Sequence, residues 1–169
     1  MIKGISTELN QEKQINQLYG YVENSEENAF YVANTLRKAL LSDSPIACTI
    51  MGRILARHVS EGSTYDQDDN IIFHALENAT DQDIKQFVNV MKYSKTDRGT
   101  FRIPCDDMNP EFKSFLEWCV YNRIFVSRMA EWEEIDDGVL DINTYYYEAN
   151  PASVLLRYID GANQTWNYS

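Results

Sequence analysis

Two histidines, His58 and His74, are the side chains of this chain best placed to exchange protons near neutral pH, and three cysteines, Cys48, Cys105 and Cys119, are its thiols. A general base needs a nucleophile to activate. No Gly-x-Ser-x-Gly, His-Glu-x-x-His, P-loop or Gly-x-Gly-x-x-Gly pattern supplies one. The adjacent carboxylates Asp106-Asp107 and Asp136-Asp137 have types suited to acid–base work, but in loops and turns such pairs are ordinarily solvated. With no constellation giving both nucleophile and base, the expectation is a protein that is not an enzyme, with no catalytic residues and no cofactor. The cysteines are far apart, odd in number and lack a Cys-x-x-Cys pair, so they read as small buried thiols rather than zinc ligands. Asp66, Asp68, Asn70, Ile72, His74 and Glu77 have the spacing of calcium-loop ligands. Ile71 stands where such a loop needs glycine for its sharp turn, and the segment also reads as helix, so no metal is expected.

Charge is the stronger signal. The 169 residues carry 15 Lys and Arg against 26 Asp and Glu, a formal net charge of −11. Residues 61–83 carry −7 and residues 131–141 carry −6. Residues 84–103 carry +4, and residues 1–60 are balanced. The total disfavours indiscriminate binding to nucleic acid or anionic lipid. No apolar run approaches the ~18 residues of a membrane span, and Pro45 to Val59 is interrupted by Arg53, Arg57 and His58. The first residues show no apolar signal core, so a cytoplasmic protein is expected. The three Asn-x-Ser/Thr matches, at Asn78, Asn163 and Asn167, then carry little meaning.

The elements that position these groups are mostly helical. Ile15, Leu18, Tyr19 and Val22 give one apolar face to a helix over 8–22. Ser25 caps a second helix to Leu41, burying Ala29, Phe30, Val32, Ala33, Leu36, Ala39 and Leu40. Ser44-Pro45 starts a third, which puts Arg53 and Arg57 opposite its apolar stripe and stops at Glu61-Gly62. A short helix over 68–78 and another over 81–93, opened by Thr80 and Asp83, follow. Next come a short strand over 100–103 and a helix over 110–122 opened by Asn109-Pro110. Then the period changes to that of strands, over 124–135 and 139–147, around the turn signal Asp137-Gly138. A last helix from Asn150-Pro151 ends at Gly161, leaving 162–169 as a loose tail.

From residue 68 to 160 this order resembles a winged helix-turn-helix domain. Ile71-Ile72-Phe73-His74-Ala75-Leu76 resembles its first helix, and Thr80-Asp81-Gln82-Asp83-Ile84 the start of the second. Phe115 to Ile124 resembles the third helix running into the wing, Asp137-Gly138 the wing tip, and Tyr145-Tyr146-Tyr147-Glu148 the return strand. The fold class expected is mainly α (α+β). A helical segment over 1–62 is followed by a winged-helix-like domain over 63–161.

The likeness by itself implies a DNA reader, a subunit-interaction module or an enzyme subdomain alike. Charge separates these uses. A DNA-reading wing brings Lys or Arg to phosphates, whereas this one is flanked by Glu131, Glu133, Glu134, Asp136 and Asp137. The leading expectation is therefore a regulatory or inhibitory protein that meets a basic protein surface and competes there with nucleic acid. Its contacts would be Trp132, Glu133, Glu134, Asp136 and Asp137 on the wing, with Asp66, Asp68 and Asp69 as a second patch. Trp132, an aromatic among charges, suits an interface anchor. The alternative is a transcription regulator holding DNA with Lys92, Lys95, Arg98, Arg102, Lys113 and Arg123. A third reading makes 8–60 a self-association unit, with Ile15, Leu18, Phe30 and Ile50 partly at a subunit interface.

Overall fold

The computed structural model describes residues 11–93, 100–104, 110–129, 133–134, 140–141 and 143–166. In chain order these form α1 (Gln11–Asn24), α2 (Glu26–Leu41), α3 (Pro45–Glu61), α4 (Gln67–Glu77), α5 (Asp81–Tyr93) and β1 (Thr100–Pro104). There follow α6 (Pro110–Tyr121), β2 (Phe125–Met129), β3 (Glu133–Glu134), β4 (Leu140–Asp141), β5 (Asn143–Glu148) and α7 (Asn150–Trp166). Helix predominates, and no described helix is long and apolar enough to cross a membrane.

Local chemistry fixes the helix starts. The Ser25 hydroxyl accepts from the Asn28 N–H at 3.1 Å, and Glu26 and Glu27 sit at the positive end of α2. Ser44 accepts from Ala47 N–H at 3.0 Å, with Pro45 in the first turn of α3, and its hydroxyl donates to Asp81 at the start of α5. Asp66 and Asp69 form a reciprocal capping box on α4. Thr80 and Asp83 exchange the same pair of bonds at the start of α5. Gly62, at φ 65°, ends α3 in the left-handed conformation that glycine adopts without steric cost.

Helix α3 is the axis of the core. Ala47, Ile50, Met51, Ile54 and Leu55 are all sealed from solvent, and α1, α2, α4, α5 and α7 pack around this helix. The same apolar cluster continues through Ile72 and Leu76 of α4, Phe87 of α5, Phe115 and Leu116 of α6, Phe125 of β2, and Leu155 and Ile159 of α7. Apolar packing thus runs uninterrupted past Gly62, the boundary drawn from sequence. Ile50, expected partly at a subunit interface, is wholly inside.

The first two helices are rotated from the faces expected. In α1 the inward residues are Gln14, Leu18, Tyr21 and Val22, while Ile15 and Tyr19 are exposed. Tyr21 wins the inward place because its hydroxyl donates to Ser63 O at 2.8 Å. In α2 the buried line is Asn28, Val32, Thr35 and Ala39, not Phe30, Ala33 and Leu40. Asn28 and Thr35 tolerate burial because both are bonded: Asn28 Nδ2 donates to Tyr21 O, and Thr35 Oγ1 bonds Tyr31 O and Tyr65 OH.

One sheet has the order β1-β5-β2, antiparallel throughout, with Arg102 opposite Tyr145 and Val126 opposite Tyr147. A separate pair, β3 and β4, sets Glu133 opposite Asp141. Strand β1 lies between α5 and α6, so no tight turn joins those helices. Helix α7 passes through Gly161 to Trp166 instead of stopping there, so residues 162–166 are helix and not loose tail. A single interior glycine costs a helix only about 1 kcal/mol.

Candidate functional site

The end of α6 is the unusual point of the backbone. Ile124 N–H bonds Cys119 O at 2.8 Å and Arg123 N–H bonds Val120 O at 3.0 Å. This is a Schellman stop, in which the residue after the cap turns left-handed. That residue is Arg123, at φ 59°, the sole described non-glycine residue with positive φ. Left-handed backbone crowds Cβ against the carbonyl, which is why glycine ordinarily fills this position. Two buried apolar residues hold the turn from inside, Ile124 and Cys119. Burial pushes the Cys119 thiol pKa well up, with the nearby Asp83 charge acting in the same direction.

Arg123 stands between two hollows that share it and Ile71, one of about 340 Å³ and one of about 590 Å³. The first lies between α4 and the end of α6 and is walled by His74, Tyr121 and Asn122. The second runs along Asp68, Val120, Phe125 and Val126 to Asn150 and Pro151. Tyr121, on the first hollow, is 79% exposed, and Val126, on the second, is 46% exposed. Asn122 is buried; its Nδ2 donates to Trp118 O at 2.9 Å, but its Oδ1 has no hydrogen-bond partner among the described residues. A buried acceptor left without a donor costs about 1–3 kcal/mol. The groove therefore offers apolar contact, a carboxylate and a guanidinium. That is equipment for binding a chain segment; it supplies no nucleophile with its base.

The acidic patch expected from sequence divides into three separate roles. Asp66 caps α4. Asp68 is half-buried at the edge of the groove. Asp69 is inside and serves no surface, a correction to its place in the patch. Its Oδ2 lies 2.9 Å from His58 Nε2, both side chains being under a tenth exposed. His58 Nδ1 meets Ser63 Oγ at 2.8 Å, and its ring packs edge-on against Tyr65. Burial acts to raise the Asp69 pKa. The close approach of His58 and the hydrogen bond from the Asp66 N–H, with the charges of His58 and Arg57, outweigh it and hold the carboxyl below its ordinary value. Serine, imidazole and carboxylate stand in line; His58 and Asp69 are buried and Ser63 is half-buried, and the line ties α3 to α4 across the 62–66 connection. The segment with calcium-loop spacing is α4 itself, and no described cluster of His, Cys, Asp and Glu has the makings of a metal site.

Of the wing residues, Glu133 and Glu134 form β3, while Trp132, Asp136 and Asp137 lie outside the described residues. Of the basic residues, Lys95 and Arg98 also lie outside them, and Arg102 belongs to β1. Lys92 is committed to Asp160 at 2.6 Å. Lys113 is exposed on α6, and Arg123 ends that helix. Sequence reasoning passed over Tyr121, Asn122 and Val126. The signal available was Tyr121-Asn122 at a helix end, but asparagine invites a left-handed turn at 122, one residue early. No model of a protein family, no curated protein and no solved structure matches this chain.

Proposed function

We propose that this protein is a non-enzymatic regulator or inhibitor that works by protein–protein contact with a basic partner. The observation that carries the reading is the groove along α4, the α6 terminus and β2. There exposed Tyr121 and Val126 flank an acidic helix start. Asp66 and Asp68 at that start belong to the −7 segment of the chain, so the electrostatic complement is a cationic segment. Glu133 and Glu134 belong to the other acidic segment of the chain, residues 131–141, which carries −6. We read residues 68–160 as winged-helix-like, with the order β1-β5-β2 in favour and the strand between α5 and α6 as the departure from a helix-turn-helix.

The experiment begins with capture of a partner from native lysate and continues with that partner purified. Reversing Asp68, Glu133 and Glu134 to lysine is expected to slow association by about tenfold or more at low salt, and the difference should close near 1 M salt. Equal association rates for the two proteins refute the reading. The rival, a DNA-binding regulator, keeps Lys113 and Arg123, but Lys92 already has its counter-ion in Asp160. Duplex binding at low salt, lost on neutralising Lys113 and Arg123, is the result that would favour it.

A specific observation also favours self-association through the first helices. Of the large apolar side chains exposed among the described residues, Ile15, Tyr19, Phe30, Leu40 and Leu41 all lie on α1 and α2. Residues 1–60 carry no net charge, so this is where two copies of an acidic protein meet with least repulsion. A concentration-dependent rise in mass by light scattering, abolished by Phe30→Glu, supports it; a constant monomer mass refutes it.

A further inference from the structure

Helix α2 packs inward through Asn28, Val32, Thr35 and Ala39. The opposite side of the helix is the row Phe30, Ala33, Arg37, Leu40 and Leu41, every one of them exposed. A helix on the outside of a self-contained fold ordinarily fills that side with polar groups. Here Phe30 is 64% exposed, Leu40 85% and Leu41 59%. The apolar groups stand towards the two ends of the row, and the middle is polar: Arg37 Nη2 donates to Asn34 Oδ1 at 3.3 Å.

This order reads the same from either end. Phe30 and Leu41 lie equally far from a midpoint at the level of Thr35 and Leu36, and Asn34 and Arg37 lie equally far inside them. Steps of four, three and four residues separate 30, 34, 37 and 41, the spacing of seam positions in paired helices. Two copies of α2 laid antiparallel across a two-fold axis at that midpoint set Phe30 against Leu41 of the second copy at both ends, with Leu40 beside it. Between the ends, Arg37 meets the Asn34 amide of the second copy. A parallel pair would instead place Arg37 directly opposite Arg37, like charge on like charge.

We propose that α2 docks antiparallel on α2 of a second copy of this chain, about a two-fold axis at the level of Thr35 and Leu36. The proposal rests on the self-association reading and gives it a contact and a register. Charge selects a second copy as the occupant. Helix α2 carries Glu26, Glu27, Arg37 and Lys38 and no net charge, while residues 61–83 and 131–141 carry −7 and −6, so two acidic molecules approach through α2 with little repulsion. Area agrees: the exposed parts of Phe30, Leu40 and Leu41 come to about 450 Å² on each copy, and with the polar rim two copies reach the roughly 1,200 Å² at the low end of specific interfaces. An interface of that size makes a reversible dimer with dissociation in the micromolar range, at about 1 μM or weaker.

The test pairs light scattering, from about 1 μM to 1 mM protein, with disulfide trapping. Phe30→Cys and Leu41→Cys proteins, one carrying a tag that changes its size, are mixed and oxidised with copper phenanthroline, then run on a non-reducing gel. In the mixed dimer the thiols introduced at 30 and 41 face each other at one end, and the natural Phe30–Leu41 contact remains at the other. Two thiols at position 30 are eleven residues apart along the antiparallel pair, about 16 Å, beyond the reach of a disulfide. The mixed disulfide is therefore expected to exceed either self-disulfide by about tenfold or more, above the background set by the natural protein with Cys48, Cys105 and Cys119. Leu41→Glu, an exposed change, should weaken dimerisation about tenfold or more, as Phe30→Glu does. A constant monomer mass, leaving the face to another protein, overturns this proposal and the self-association reading together. A mass that rises while the 30–41 disulfide stays at background, or a dominant 30–30 disulfide, overturns the antiparallel register alone.

Discussion

Replacing Arg123 by glycine should make this protein more stable while removing a side chain from its groove. The backbone there is left-handed, at φ 59°, and the two Schellman hydrogen bonds come from main-chain groups that glycine also has. A left-handed residue with a Cβ costs roughly 1–2 kcal/mol, whereas glycine is nearly indifferent to the sign of φ. Against that gain, glycine gives the unfolded chain more freedom, which returns roughly 0.5–1 kcal/mol. The balance is a stabilisation of about 0.5–1 kcal/mol. At about 2.1 cal/mol/K per residue, unfolding a chain of 169 residues carries about 0.35 kcal/mol/K, so Tm should rise by about 1.5–3 °C. Differential scanning calorimetry measures this directly. The control is Arg123→Ala, which removes the same guanidinium but keeps a Cβ in the left-handed turn. It should show no such rise. A lowered Tm for the glycine variant, or an equal rise for both, would refute the claim that backbone strain is stored at this position. If the groove binds a partner through Arg123, both variants should lose affinity together, separating the cost of the backbone from the use of the side chain.

The Asp69 carboxyl titrates below its ordinary value in the fold, so its contribution to stability is present above the ordinary carboxylate pKa and is lost as pH falls through the lowered one. Asp69→Asn should therefore flatten the acid limb of a chemical-denaturation pH profile. At neutral pH it should cost about 1–3 kcal/mol by removing the carboxylate that accepts from the Asp66 N–H and faces the buried His58 ring. An unchanged acid limb would refute that assignment. Cys119 is buried and its thiol is held in the protonated form, while Cys48 is half-buried and its Sγ lies 3.1 Å from Ala39 O. In native protein a thiol reagent followed by peptide mapping should leave Cys119 unlabelled until denaturant is added. Rapid native labelling of Cys119 would show that the α6 terminus opens far more readily than its packing implies.

Helix starts were the most legible part of this chain, because a cap is a local device. Ser25, Ser44 before Pro45, and Thr80 with Asp83 each satisfy backbone N–H groups a few residues away, whatever the rest of the fold does. Which face turned inward was harder to read. Ile15 and Tyr19 have the spacing of an inner stripe, but burial went to Tyr21, whose hydroxyl reaches an acceptor 42 residues away in sequence. Asn28 and Thr35 read as surface until their partners Tyr21 and Tyr65 are seen. Asp69 likewise reads as one more carboxylate in an acidic run; its neighbour His58 stood out as a proton-exchanging side chain, but nothing in the sequence pairs the two. The contact of Arg57 with Tyr158 needed α7 to return onto α3 across 101 positions of sequence. The left turn at Arg123 has no local signature, because the residue type that would announce it is absent.

Helix α7 has a consequence for how the protein survives its own synthesis. Ala152, Leu155 and Ile159 close the apolar surfaces of α3, α4 and α5, and the Ala149 N–H anchors the helix to Ile124 O. While a ribosome is still translating the codons before Asn150, the nascent chain holds those three helices with their shared seam open. A product released early, by a premature stop or a stalled message, would keep that seam exposed. Such fragments would be substrates for chaperones and proteases rather than weakened versions of the protein, so truncating mutations upstream of residue 150 should act as complete losses.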